Sequence, residues 1–384
     1  MTPIGKAYRV LVMGYRQGLC DALSRLDIPY AVWTEKELKS SRNILHLHVQ
    51  KFPRSRQHIA DILAGFAQAG PFSHVIAGTE AAVYCASVAR RILSARLSNN
   101  SVALRCNDKL HMKSYLRDRN IPMTDFVAGE EIQDGSSVIE SLGIPVVVKA
   151  RHESGGRGID LVKTPEEIAR LAKRTRIMER FICAPEASVE SFINNGEILF
   201  TSSTQYYLKK HINVVPALPY SIQLEALLEL NKQVLKALKI KWGITHMEVY
   251  LSEEGLLFGE IALRPPGGYI MELISKSHGF SAWDALVHIE LDLPFSFPDS
   301  PTCYSAACII HPGAGTVQQI NNWQQVSSLP SVFKSKLKVI PGSTIRARQG
   351  VGEDAGYLLL SNSDAQILTQ EIETVQQTLD FTMR

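Results

Sequence analysis

The stretch that decides the fold reads Val146-Val147-Val148-Lys149-Ala150-Arg151-His152-Glu153-Ser154-Gly155-Gly156-Arg157-Gly158-Ile159. A β-branched run carries a single lysine and is followed at once by a glycine-rich turn. Val146 to Lys149 predicts a buried strand. Gly155, Gly156 and Gly158 lack a Cβ, so backbone N–H groups there can approach an anion closely. A cation at a strand end and a glycine lid beyond it are what a triphosphate requires. Standing alone, such a hairpin is more often structural, so the surrounding residues decide its meaning.

Working outward, Thr164-Pro165-Glu166-Glu167 predicts a helix start, with proline in the first turn and acids near its positive end. Arg176 to Ile182, Ala187 to Ile193 and Glu197 to Tyr207 predict strands, and Gln223 to Leu238 a helix. Thr245 to Leu251 and Leu256 to Leu263 predict an antiparallel hairpin turning at Ser252-Glu253-Glu254-Gly255. Upstream, Asn107-Asp108-Lys109 to Arg119 reads as a helix with a polar cap. Residues 1 to about 100 alternate strand and helix signals, which implies an α/β unit with a parallel sheet. Its first turn, Gly14-x-x-x-Gly18, is not the Gly-x-Gly-x-x-Gly of a dinucleotide site, and a tight turn explains it better. After about 300 the chain is β-rich, with strands expected at 305–311, 337–340 and 344–347. An amphipathic closing helix is expected over 363–379.

At 384 residues the chain is too long for one compact core. Its composition, 45% hydrophobic and 21% charged, is that of a water-soluble globular protein. A net charge of +3 gives no case for a nucleic-acid partner. Six scattered cysteines without a Cys-x-x-Cys pair fit reduced thiols and a cytoplasmic location. Neither a signal-peptide pattern nor a membrane-length apolar run is visible, so no membrane is expected. His46 and His48 share a strand face without a third ligand, so a surface or packing role is expected rather than zinc. Lys209, Lys210 and His211 fall between the charged motifs and read as a solvated or substrate-facing loop.

The predicted hairpin holds the second decisive feature. Glu248 lies in His246-Met247-Glu248-Val249-Tyr250, and Glu260 in Phe258-Gly259-Glu260-Ile261-Ala262-Leu263-Arg264. Antiparallel pairing can set the two carboxylates side by side. Adjacent carboxylates repel unless a cation lies between them, and hard oxygen ligands suit Mg²⁺. Two solvated strand acids are the plain alternative, and their apolar neighbours speak against it.

These motifs together resemble the ATP-grasp enzymes over residues 100 to 295. Lys109 resembles that family's first nucleotide lysine and Lys149 its second. Gly155, Gly156, Arg157 and Gly158 resemble its phosphate loop. Glu179, Arg180, Phe181 and Ile182 resemble the segment whose backbone reads adenine, and Glu186 the acid on the ribose. Glu248 and Glu260 resemble the paired magnesium acids, and Arg264 the catalytic arginine facing the reacting carboxylate. The resemblance implies a Rossmann-like α/β domain over 1–105, an ATP-grasp domain of α+β character over 106–298 and a small β-rich lobe over 299–384.

It also implies ATP and Mg²⁺ as cofactors, two ions with Mn²⁺ able to substitute, and a homodimer. One position departs from the pattern: the family often has asparagine two residues after the second acid, and here Ala262 stands there. The implied activity is an ADP-forming carboxylate–amine ligase acting through an acyl phosphate. The Arg264-Pro265-Pro266-Gly267-Gly268 segment resembles amino-acid and dipeptide ligases, so small carboxylate and amine substrates are expected. A non-catalytic nucleotide-binding relative and a nicotinamide oxidoreductase are the rival readings.

Overall fold

The structure, a computed structural model, describes residues 8–39, 43–96, 100–207, 211–218, 223–350 and 352–384. The first part is the expected α/β unit. It comprises β1 (Val10–Met13), α1 (Gln17–Arg25), β2 (Tyr30–Thr34), β3 (Ile44–Val49), α2 (Arg56–Ala64), β4 (His74–Ala77) and α3 (Ala82–Ile92). The strands are parallel in the order β3-β2-β1-β4. β1, β2 and β4 are buried at every position, as strands covered on both faces must be. One face packs Leu11, Met13 and Trp33 on Ile59 and Phe66; the other packs Val10 and Val12 on Leu19 and Leu23. Strand order reverses between β1 and β4, which opens a crevice beyond their carboxyl ends. His46 lies 4.7 Å from the Phe66 ring, and His48 5.7 Å from Trp33, so both histidines pack as expected.

Two helices follow, α4 (Asn100–Asn107), which the sequence did not suggest, and α5 (Lys109–Arg117). They lead into β5 (Phe126–Ala128), α6 (Gly135–Leu142), β6 (Val146–Ala150), β7 (Ile159–Val162), α7 (Pro165–Leu171) and β8 (Arg176–Arg180). The strands form an antiparallel sheet ordered β5-β8-β6-β7. Val146, Val148 and Met178 face Val138, Leu142 and Ile168 of the two covering helices. The two-residue period turns Lys149 and Glu179 to the opposite face. Thr164 and Glu167 cap α7 reciprocally. β8 stops at Arg180, so Phe181 and Ile182 lie past the strand expected for them, in the connector leading to Pro185.

The remainder builds a second, larger sheet. Its elements are β9 (Glu186–Asn194), β10 (Glu197–Tyr207), β11 (Ile212–Val215), α8 (Leu224–Leu238), β12 (Gly243–Ser252), β13 (Gly255–Ala262), α9 (Ile270–His278), α10 (Ala282–Glu290) and β14 (Tyr304–Ile310). They are followed by β15 (Gly315–Asn321), α11 (Trp323–Ser327), β16 (Val332–Leu337), β17 (Thr344–Ile345), β18 (Gly356–Asn362), α12 (Ala365–Thr378) and β19 (Asp380–Met383). Eight strands are ordered β13-β12-β9-β10-β11-β14-β18-β16, so strands on both sides of residue 299 share one sheet. α9 and α10 pack Leu273, Trp283 and Leu286 against Leu19 and Leu23, joining the first unit to this sheet. Among the described residues no helix is long and apolar enough to cross a membrane.

Two local expectations fail near the end. The strand expected at 337–340 is β16, at Val332–Leu337. It is an edge strand with Phe333, Lys334, Ser335 and Lys336 exposed, so it carries little apolar signal. α12, capped by Asp364, falls within the helix expected over 363–379, but it does not close the chain: β19 follows and pairs with β15.

Gly14 stands at the end of β1 with φ +82°, and a Cβ there would fall 2.2 Å from Thr79 Oγ1. Gly14→Ala is therefore expected to cost about 2 kcal/mol or more, from strain at positive φ plus the clash. Urea denaturation of the variant and parent checks this; equal midpoints would contradict it.

Candidate active site

Two lysines converge through a clamp. Asp108 caps α5, accepting from the N–H groups of Leu110 and His111. The same carboxylate takes a bidentate pair from Arg151, with Nε at 2.9 Å and Nη2 at 2.6 Å. Burial opposes the ionised form of Asp108, but Arg151 and His152 overcome it and hold the carboxyl below its usual range. The Lys109 N–H adds a bond to the Arg151 carbonyl at 3.0 Å. The helix start bearing Lys109 is thereby fixed to the end of the strand bearing Lys149. Lys109 Nζ reaches the Glu153 carbonyl at 2.6 Å and Glu260 Oε2 at 3.1 Å, touching both the glycine loop and the larger sheet.

The sequence reading left Lys149 waiting for an anion, whereas the structure gives it one. Its Nζ lies 2.9 Å from Glu179 Oε2, and Glu179 is only 1% exposed. Lys113 Nζ, equally buried, approaches the same oxygen at 3.3 Å, and the Thr124 hydroxyl donates to it at 3.2 Å. Burial would raise the Glu179 pKa, but Lys113 and Lys149 outweigh it and hold it down to about 2. Lys149 is disfavoured as a cation by burial and rescued by Glu179, with a net rise above its ordinary value. Three donors thus share Oε2, while Glu179 Oε1 is buried without a hydrogen-bond partner.

The glycine loop after β6 has φ of +66° at Gly155, +84° at Gly156 and +63° at Gly158, values that other residues rarely adopt. It abuts the chain at Gly350, where a Cβ would fall 2.6 Å from the Gly155 carbonyl and 3.0 Å from Arg157 Cγ. Arg180 pairs with Glu254 at 2.8 Å, and Phe181 beside it is 40% exposed.

On the larger sheet Glu248 and Glu260 occupy directly opposed positions of the β12–β13 hairpin. A bulge interrupts the ladder immediately after Glu248, which re-aims the strand at this point. Both acids are partly exposed, and Ala262 is buried. Glu248 Oε1 lies 3.4 Å from His246 Nε2. His246 Nδ1 lies 2.7 Å from Glu190, which also accepts from Ser188 and Thr204 and is wholly buried. Burial would lower the His246 pKa, but the two carboxylates reverse this and raise it. Glu186 sits on β9 opposite Tyr250, on the strand next to this hairpin. Among the described residues no group of three or more His, Cys, Asp or Glu side chains could hold a metal ion by itself. Two carboxylates suit a cation whose remaining ligands are waters and phosphate oxygens.

Arg264 follows the hairpin. Its Nε lies 3.1 Å from Glu80 Oε2, and its Nη1 donates to the Pro265 carbonyl. Asn107 Nδ2 in turn donates to Glu80 Oε1 at 2.9 Å, so the crevice of the first sheet meets the segment that bears Lys109 here. Sequence reasoning missed Lys113, Glu190, His246 and Glu80. The pairing of Asp108 with Arg151 escaped it as well. His211 contacts Arg348 at 2.7 Å, and Lys209 and Lys210 lie outside the described residues. At the first turn Thr79 takes the space beside Gly14 and Trp283 the space beside Gly18.

Residues 114–275 match the family model of the ATP-grasp domain. The chain is 26% identical over 324 residues to an L-arginine-specific L-amino acid ligase of Bacillus subtilis, spanning 77% of each protein. The L-amino acid ligase structure from Bacillus licheniformis superposes with a TM-score of 0.81 at 16% identity, covering 98% of this chain and 99% of that one. N5-carboxyaminoimidazole ribonucleotide synthetase from Thermotoga maritima superposes at 0.74 with 15% identity, covering 98% and 100%. At such identities these two structures speak for the fold. Residues 114–275 thus carry an ATP-grasp domain, and the similarity to these ligases supports an ATP-dependent carboxylate–amine ligase.

The buried Glu179 gives a test of the site's electrostatics. Its pKa falls from an ordinary 4.5 to about 2 on folding, so its contribution is complete above 4.5 and is lost as pH drops toward 2. Glu179→Gln leaves Lys113 buried without a counter-charge and is expected to cost about 3 kcal/mol at neutral pH. Its urea midpoint should also fall less than the parent's between about pH 4.5 and 2. Parallel pH profiles would overturn the assignment.

Proposed function

We propose that the enzyme phosphorylates a small carboxylic acid with ATP and passes the acyl group to an amine, releasing ADP and phosphate. The observation that carries this reading is Lys109, whose ammonium joins the Lys149 strand and glycine loop on one sheet to the Glu260 carboxylate on the other. Lys109 and Lys149 hold phosphate oxygens, and Gly155, Gly156, Arg157 and Gly158 lie over the terminal phosphate and keep water away. The open Glu179 Oε1 fits an adenine N–H donor. In this reading the backbone of Glu179, Arg180, Phe181 and Ile182 borders the base, and Glu186 takes the ribose hydroxyls.

Glu248 and Glu260 are the residues that would hold Mg²⁺. When bound, the ion neutralises phosphate charge. His246 and Glu190 orient Glu248. Two ions, and Mn²⁺ in their place, are part of the same proposal; with Ala262 beside it, Glu260 has no neighbouring amide to share the load. Arg264 pairs with the substrate carboxylate and then with the developing oxyanion as the amine attacks. Glu80 keeps the guanidinium in place until the substrate arrives. The substrates are small molecules, amino acids among them, a reading supported by the Bacillus subtilis relative.

The division at residues 105 and 298 into three domains, a cytoplasmic site of action without membrane or nucleic acid, and a homodimer complete the proposal. The family resemblance supports the dimer, and the scattered free cysteines support the location.

With ATP, Mg²⁺ and a carboxylate, hydroxylamine is expected to yield a hydroxamate with ADP and phosphate. Formation of AMP and pyrophosphate would refute the mechanism. Glu260→Gln is expected to lower turnover about 100-fold or more, and to lower it further than Glu248→Gln. Steady-state rates across a Mg²⁺ titration decide this, and equal mild losses would count against a shared cation.

A further inference from the structure

The turn Gly14-Tyr15-Arg16-Gln17-Gly18 has no part in the nucleotide site, yet it is built around one side chain. Gly78 would carry its Cβ 2.1 Å from the Gly14 carbonyl and 3.2 Å from Arg16 Cγ, so its lack of a side chain leaves room for the turn and for the arginine stem beside it. Gly18 would carry its Cβ 2.3 Å from Trp283 Nε1, and its absence lets the indole pack against α1. The Arg16 guanidinium rests 5.2 Å from the centre of that indole, whose N–H is directed to Glu272 at 3.4 Å. Arg16 Nη2 donates to the Pro266 carbonyl at 2.7 Å, and Arg264 Nη1 donates to the adjoining Pro265 carbonyl at 3.1 Å. Two guanidiniums therefore stand on consecutive carbonyls of one turn.

Their charges are compensated unequally. Arg264 has Glu80 as an ion-pair partner. Arg16 has a carbonyl and a ring, and among the described residues no carboxylate forms an ion pair with it. Burial and the neighbouring Arg264 together push its pKa down to about 10, with Glu272 only partly offsetting them. A half-buried cation repelled by its neighbour leaves room for an anion. The location agrees, because Arg16 and Glu80 flank the point where strand order reverses, the usual crevice for ligands in such sheets. The phosphates have their own cations in Lys109 and Lys149, and a planar guanidinium fork suits a carboxylate.

We propose that Arg16 binds a second, non-reacting carboxylate of the substrates, beside the reacting one at Arg264, so that the amine partner is an amino acid with a free α-carboxylate. The proposal rests on the ligase reading given above. An amine without that carboxylate leaves Arg16 uncompensated and is rejected by the site.

The test measures binding as well as turnover. Equilibrium binding of the twenty proteinogenic L-amino acids is measured on the full chain with a non-hydrolysable ATP analogue and Mg²⁺, and the corresponding amide is measured for each one that binds. The acid is expected to bind about 30-fold more tightly than its amide in the parent. That ratio should collapse toward one in Arg16→Gln and recover in part in Arg16→Lys. Ligation rates with acid and amide acceptors should show the same ratios. If the collapse appears instead between dicarboxylic and monocarboxylic donors, with hydroxylamine as acceptor, Arg16 still holds a non-reacting carboxylate but on the acid partner. A parent that binds no acid better than its amide and does not favour dicarboxylic donors overturns the proposal, as does an unchanged ratio in Arg16→Gln. Failure of the ligase reading is seen separately, as absence of hydroxamate and ADP in the parent, and leaves the binding ratios to decide the role of Arg16.

Discussion

A single carboxylate oxygen organises the small-sheet side of this enzyme. Glu179 Oε2 receives Lys149, Lys113 and Thr124, which come from β6, α5 and the segment that precedes β5. Burying one charge is costly, and burying two ammoniums around one carboxylate is tolerable only if the geometry is held closely. The small sheet and α5 are therefore positioned by electrostatics as much as by packing. Lys109 inherits that position, since it begins the helix on which Lys113 sits one turn later.

The larger sheet answers with register rather than burial. A one-residue slip of β13 against β12 would send Glu260 to the opposite face. The apolar residues around the acids prevent that slip: Met247, Val249, Phe258 and Ile261 are committed to one core with α8. The bulge after Glu248 interrupts the ladder only once the opposed pair has been set. Core packing and the chemistry of the two acids are thus settled by the same strand pairing.

Features encoded within a few residues were legible in the sequence. The Val146–Lys149 strand, the glycine turn, the Thr164 cap, the 245–263 hairpin and its opposed acids all follow from local period and turn chemistry. So does the α/β rhythm of the first hundred residues. What was missed arises between distant segments. Lys113 looked like an ordinary helix lysine, because the Glu179 that neutralises it lies 66 positions away in sequence. Glu80 and Arg264 meet across a still longer separation. The edge strand β16 was misplaced by several residues because an exposed edge needs no apolar alternation. Phe181 and Ile182 were read as strand because apolar pattern carries no information about where pairing stops.

The eight-stranded sheet is hydrogen-bonded without interruption from the hairpin of paired acids through β11 and β14 to β16. A ladder of that kind resists shear, since sliding one strand breaks every bond in its row. Among the described residues the small sheet shares no strand ladder with it, and the two meet through the connector 181–185, a few backbone bonds, the Arg180–Glu254 pair and the Lys109 contact. Compliance in the molecule is thereby concentrated at one seam. On the proposed reading a nucleotide entering or leaving works against that seam, while the 265–266 turn, whose carbonyls accept from Arg264 and Arg16, stays with the stiffer body.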